Sequence, residues 1–144
     1  MKRITLRIFI LGTAIVLILS ACSQANTSLD GTSWALTSYQ DDAGDTVNIL
    51  PRSTTTAHFQ ADTVTGVAGC NNYNASYQVN GNKLTFGPAA TTRKMCGSPP
   101  GIMQQENAFL KALDSTASYR LKSSSLEMID GRGNTLLVFK KASE

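Results

Sequence analysis

The dipeptide Asn80-Gly81, set between two short runs of strand character, constrains this chain more than any other feature. Asn-Gly readily takes up the positive φ angles of a two-residue hairpin turn, so Ala75–Val79 and Lys83–Phe86 are expected to lie antiparallel. The same pattern recurs along the chain. Trp34–Tyr39 reads as a strand with Trp34 and Leu36 on one face, and Asp41–Asp45 supplies turn chemistry centred on Gly44. Thr54–Phe59 and Thr63–Val67, rich in β-branched residues, read as two more strands. Gly87-Pro88 breaks the pattern, and Thr91–Met95 is a weaker strand ending at Cys96. Near the C-terminus, Ser118–Leu121, Leu126–Ile129 and Thr135–Lys140 are divided by Ser123-Ser124 and Asp130-Gly131, the signature of a meander.

Only one segment changes period. Between Ser98 and Leu113, residues Met103, Glu106, Phe109, Leu110 and Leu113 recur near helical spacing, which predicts one helix over about residues 102–113. Ser98 is expected to cap it, with Pro99 in the first turn. Many short strands, frequent glycine turns and one helix indicate a mainly β fold. The expected form is a small antiparallel β-barrel or rolled sheet, its open end or edge covered by the helix.

The N-terminus has a different character. Lys2, Arg3 and Arg7 precede an apolar run of 12 residues, Ile8 to Leu19, followed by the small residues Ser20 and Ala21. A membrane-spanning helix needs about 20 apolar residues, so the run is read as a cleaved export signal. Leu19-Ser20-Ala21-Cys22 resembles the bacterial lipobox, in which the cysteine thiol receives a diacylglyceryl group. The expected organisation is therefore a lipoprotein signal peptide over residues 1–21, a lipidated flexible tether over 22–28, and one domain over 29–144. Cys22 is the lipidation site and the membrane is the first partner. Ser23, not aspartate, follows the cysteine, so the protein is expected in the cell envelope, on the outer membrane facing the periplasm.

Cleavage would remove three of the basic residues, leaving ten against ten acidic ones. With the charge balanced and no basic cluster longer than a pair, a nucleic-acid partner is not expected. Lipidation of Cys22 leaves one even pair of thiols, Cys70 and Cys96, which an oxidising compartment is expected to join as a disulfide. Metal and cofactor sites are not expected. The two cysteines lie 26 positions apart and His58 is the only histidine, too few ligands at too wide a spacing for zinc.

The centre of the chain, Gly66-Val67-Ala68-Gly69-Cys70-Asn71-Asn72-Tyr73, then Tyr77, Phe86, Thr91, Cys96, and Met103 with Glu106, resembles the META-domain family. The likeness extends to Gly31-Thr32-Ser33-Trp34 and to the closing region Leu126 to Phe139. The resemblance implies a lipocalin-like β-barrel with a helix, found in small bacterial envelope proteins. Some are induced by heat shock and associated with antibiotic tolerance, and others are linked to secretion or motility. It implies no catalytic residue and no ligand.

Physically, the motif reads as a pinned corner. Gly66 and Gly69 allow sharp bends, and Asn71 and Asn72 can bond nearby backbone. The functional alternative groups Gly69, Asn71, Asn72, Tyr73, Tyr77 and Arg93 as a polar recognition patch. No nucleophile elbow, phosphate loop or histidine beside a core cysteine suggests catalysis, so a non-enzyme is expected. His58 alternates with Phe59 and should face solvent. Asp41, Asp42 and Asp45 lack the Gly and Glu positions of a calcium loop, and read as solvated turn acids. The N-x-S patterns at Asn26 and Asn74 are not read as glycosylation sites in a lipobox chain. Met103, Phe109 and Leu113 should form the core face of the helix. The favoured role is a non-catalytic envelope protein meeting a protein or cell-wall partner during stress. The alternative is a carrier of a small apolar ligand, although Trp34, Phe59, Phe86, Phe109 and Phe139 are available to fill the interior.

Overall fold

A computed structural model describes residues 28–143. The expected signal peptide, Cys22, the tether up to residue 27 and Glu144 lie outside the described residues. In chain order the elements are β1 (Thr32–Gln40), β2 (Thr46–Asn48), β3 (Thr56–Gln60), β4 (Thr63–Val67), β5 (Asn72–Asn80), β6 (Lys83–Phe86), β7 (Ala90–Thr91), α1 (Ile102–Asp114), β8 (Ser118–Leu121), β9 (Ser125–Ile129) and β10 (Thr135–Lys141). The strands β1-β3-β4-β5-β6-β8-β9-β10 pair antiparallel in that order, and the ring closes where β10 returns to β1 with Phe139 opposite Leu36. The fold is a closed, mainly β antiparallel barrel with a single helix among the described residues.

The hairpins form where turn chemistry places them, including Asn80 opposite Lys83 around Gly81, whose φ is 62°. Three details differ from the sequence reading. β2 was not expected, since three residues with one apolar side chain carry no period; it forms because it pairs with the end of β1. Thr91–Met95 is not a strand of that length. Only Ala90–Thr91 pairs with β5, and the register shows β7 to be β6 continued past a bulge at Gly87-Pro88. Beyond it Thr92 N–H still donates to the Asn72 carbonyl at 3.1 Å, and the chain then turns to the side chain of Asn71 for its hydrogen bonds. Ser98 and Pro99 do not begin the helix: the N-cap is Gly101, at φ 89° and without a side-chain cap. Ser98 and Pro99 each precede a proline, and the proline ring disfavours the α conformation in the residue before it.

Strand alternation fills the barrel axis. Trp34, Phe59, Leu84, Leu126, Met128, Leu137 and Phe139 are buried, while Phe86 is only half-buried. Each fully buried apolar side chain of this size contributes about 1.5–3 kcal/mol. His58, as expected, stands outside opposite Phe59 and bonds Ser33 Oγ at 2.9 Å. The helix closes one end. Phe109 and Leu113 are buried as expected, but Met103 lies half-buried at the margin of a face carried by Ile102, Gln105, Glu106, Ala108, Phe109, Ala112 and Leu113. The Phe109 ring meets Tyr73 of β5 at 5.3 Å and Phe139 of β10 at 6.5 Å, edge to face. β5 and β10 lie diametrically opposite in the ring, so α1 plugs the barrel and does not lie along its wall.

The two ends differ. The helix end holds the β4–β5 corner, the β1–β2 turn and the β9–β10 turn. At the other end the chain enters at Ser28, with Ala61 N–H donating to Asp30 at 2.9 Å, Ala142 N–H to the Ser33 carbonyl at 2.9 Å, and Lys141 N–H to the Ser124 carbonyl at 3.0 Å.

Candidate functional site

Helix α1 turns two polar residues inward at the plugged end. Gln105 is fully buried, and its Oε1 accepts the Leu50 N–H at 2.7 Å while Nε2 donates to Ser53 Oγ at 3.2 Å and Thr55 Oγ1 at 3.4 Å. Glu106 is 4% exposed. Its Oε2 accepts the backbone N–H groups of Cys70 at 2.9 Å and Asn71 at 2.6 Å, and its Oε1 accepts Asn71 Nδ2 at 2.7 Å. Neighbouring residues of one helical turn thus tie two separate loops to the plug. A buried carboxylate is costly unless its oxygens are hydrogen-bonded, and three donors meet that requirement here.

Asn71 passes the connection on. Its Oδ1 accepts Thr92 Oγ1 at 2.8 Å and Lys94 N–H at 2.7 Å, while Nδ2 also donates to the Lys94 carbonyl at 3.1 Å. The amide of one side chain therefore substitutes for a strand partner along 92–94. The Cys70–Cys96 disulfide, with Cα atoms 5.8 Å apart, fastens the same segment two residues further on. Gly69, at φ 136°, allows the close approach this needs: a Cβ there would stand 3.2 Å from Ile102 Cδ1.

The residues grouped by sequence as a patch separate in space. Asn71, Tyr73 and Tyr77 are buried, and Asn72 and Arg93 are exposed. The Tyr73 hydroxyl donates to the Thr56 carbonyl at 2.9 Å, and burial pushes its pKa well above the ordinary phenol value. Tyr77 packs edge to face on Phe59 at 5.0 Å; burial, then the Asp30 and Asp62 carboxylates, raise its pKa. The outcome is a braced loop whose exposed side chains include Arg93, Lys94 and Met95, the last 87% exposed. Glu106 and Asn71 emerge as the central pair. An acidic residue inside an apolar helical stripe was the available signal for Glu106; Gln105 gave none.

Asp41 and Asp130 each fold a turn beside the helix C-terminus. Asp41 Oδ1 accepts Ala43 and Asp45 N–H groups at 3.0 and 2.9 Å. Asp130 accepts from the side chain and backbone of Asn134, which hold its carboxyl below the usual range. With Lys111 paired to Asp42 at 2.8 Å, these turns border an open cleft of about 580 Å³. Among the described residues, no three His, Cys, Asp or Glu side chains gather as a metal group, and every buried side-chain N or O atom has a partner.

A closed antiparallel barrel plugged by one helix, with its signature residues consumed in bracing a loop, defines a small, helix-plugged β-barrel module. The META domain profile matches residues 27–143, and the chain belongs to the META domain family. No curated protein matches the sequence significantly. Among solved structures, a Burkholderia xenovorans protein determined by NMR is 27% identical, with a TM-score of 0.65 over 81% of this chain and 85% of that one. The crystal structure of a DUF4847 family protein from Bacteroides vulgatus shares the fold at 15% identity, with a TM-score of 0.55 over 81% of this chain and 96% of that one.

Proposed function

We propose that this META domain is a non-catalytic, lipid-anchored module of the bacterial envelope that meets a protein or cell-wall partner through the braced loop 92–96 during stress. One observation carries the reading. Thr92 and Lys94 are held by Asn71 and Cys96 by Cys70, so Arg93, Lys94 and Met95 extend into solvent from a fixed backbone. A loop ordered before binding loses less conformational entropy when a partner arrives, and an exposed methionine beside two cationic side chains is suited to a mixed apolar and acidic surface. A carrier of lipocalin type fits the architecture, but needs room along an axis now occupied by Trp34, Phe59, Phe109 and Phe139.

The test places a photo-crosslinking amino acid at Met95 in living cells. A discrete crosslinked species is expected there and not at Thr85 on the outer barrel wall, and cells complemented with Arg93→Glu/Met95→Asp should lose stress survival. Equal crosslinking at both positions, with full survival of the variant, would exclude the loop as the contact. Native mass spectrometry of protein taken from its own envelope separates the carrier reading: a stoichiometric bound molecule would favour it.

A further inference from the structure

The wall beside the chain's entry point is unevenly charged. On β8, β9, β10 and the β8–β9 turn near that end stand Arg120, Lys122, Lys140 and Lys141, against one acid among the described residues of these elements, Glu127. Strand alternation sends Lys140 outward opposite Ser125, because its neighbour Phe139 points into the core. Glu127 already pairs with both Arg120 and Lys122. Lys140 and Lys141 form no ion pair among the described residues. The acids of this end, Asp30 and Asp62, lie on the other flank, by the β3–β4 turn. Among the described residues the end is therefore split, with both acids on one side, Lys83 near Asp62, and the basic cluster on the other.

Position gives the split a meaning. Ala142 bonds Ser33 and Lys141 bonds Ser124, so the basic flank adjoins the point where the chain leaves the barrel toward Cys22. The six residue steps from Cys22 to Ser28 span at most about 21 Å when fully extended, which keeps this end near whatever surface holds the cysteine. Charges that close to an anionic bilayer lie within a few Debye lengths, about 8 Å each at physiological ionic strength.

Resting on the reading of Cys22 as a lipid anchor, we propose that the tether-end corner of the β8–β9–β10 wall docks on the anionic phospholipid surface to which the anchor is attached. Docking tilts the barrel with its basic flank toward the headgroups and its Asp30/Asp62 flank away. The helix-plugged end, with loop 92–96, then faces the aqueous space. Lys140 and Lys141 supply the unpaired charge, while Arg120 and Lys122 exchange part of their pairing with Glu127 for phosphate.

The experiment uses the mature acylated protein, purified from membranes and reconstituted into vesicles of phosphatidylcholine alone or with one part in three phosphatidylglycerol. Lysine acetylation is followed residue by residue by mass spectrometry. An anionic surface covers amines and concentrates protons around them, so Lys122, Lys140 and Lys141 should react roughly three- to fivefold more slowly on the anionic vesicles. High salt should remove the difference, and Lys111 at the opposite end should not respond. In Lys140→Glu/Lys141→Glu, two exposed positions, Lys122 should lose its protection while circular dichroism stays unchanged. Acylated, vesicle-bound protein whose lysines all react alike in both lipids would overturn the docking proposal alone. Protein that carries no acyl chain would overturn the anchor reading and the proposal with it.

Discussion

The Glu106 carboxylate holds Asn71 twice, taking its backbone N–H at 2.6 Å through one oxygen and its side-chain N–H at 2.7 Å through the other. Through this pair the barrel's plug, its glycine corner and its exposed loop become one unit, because Asn71 in turn holds Thr92 and Lys94.

Glu106→Gln keeps the volume but places an NH2 group against a donor. If that group faces Asn71 Nδ2, two donors oppose; if Asn71 flips to accept, it forfeits the bonds from Thr92 and Lys94. The expected loss is about 2–3 kcal/mol, the scale of a buried charged group's hydrogen bonds. Urea unfolding checks it, and an Asn71→Ala/Glu106→Ala cycle should give strongly non-additive losses. Additive losses would show the two residues to act independently.

Reduction of Cys70–Cys96 should lower stability by up to about 3.5 kcal/mol, the unfolded-state entropy of closing a loop of this length. Asn71 keeps part of the segment in place without the bridge, so the reduced protein should still fold. Cys70→Ala/Cys96→Ala should melt with the reduced wild type. Agreement with the oxidised protein instead would leave the bridge without a stabilising role.

Gly66→Ala should be far more damaging than Gly131→Ala. A Cβ at Gly66 would collide with the backbone carbonyl of Thr56 on the neighbouring strand, whereas one at Gly131 meets nothing within 4 Å. The strand must shift or break, at a cost of about 2–4 kcal/mol, against about zero at Gly131. Thermal melts of the two variants, run side by side, decide this.

Alkali should unfold the protein partly through Tyr73. Burial raises its folded pKa above the unfolded value, so the stability it brings is whole below about pH 10 and drains as pH rises further, toward the folded pKa. Tyr73→Phe should cost about 1 kcal/mol at neutral pH by losing the bond to Thr56, yet fall less steeply with pH in alkali. Denaturant midpoints measured from pH 7 upward test the difference in slope; parallel curves would acquit Tyr73.

Cys22→Ser should abolish incorporation of labelled fatty acid and leave the precursor unprocessed, since no other thiol precedes the domain. A mature, acylated form of this variant would contradict the lipobox assignment.

What the sequence by itself determined was local. The Asn80-Gly81 hairpin, the meander from Ser118, the exposed His58 and the helix ending near Leu113 follow from turn chemistry and from periods of two and 3.6, which act over a few residues. Even there, the helix starts at Ile102 as its period indicates, but the prolines after Ser98 and Pro99 keep those two residues out of it, a local rule that outweighed the capping signal. Tertiary structure alone decided the rest. Closure of β10 onto β1 joins residues about a hundred positions apart, and no period within either strand specifies its partner. The inward turn of Gln105, Glu106 and Asn71 is legible only once the corner and the helix meet, because a polar side chain is buried where donors and acceptors converge from distant segments. The same convergence turned most of Thr91–Met95 from an expected strand into a braced loop: past the bond from Thr92 N–H to the Asn72 carbonyl, its hydrogen bonds go to the side chain of Asn71, and a side chain, unlike a strand, has no second residue to continue the ladder.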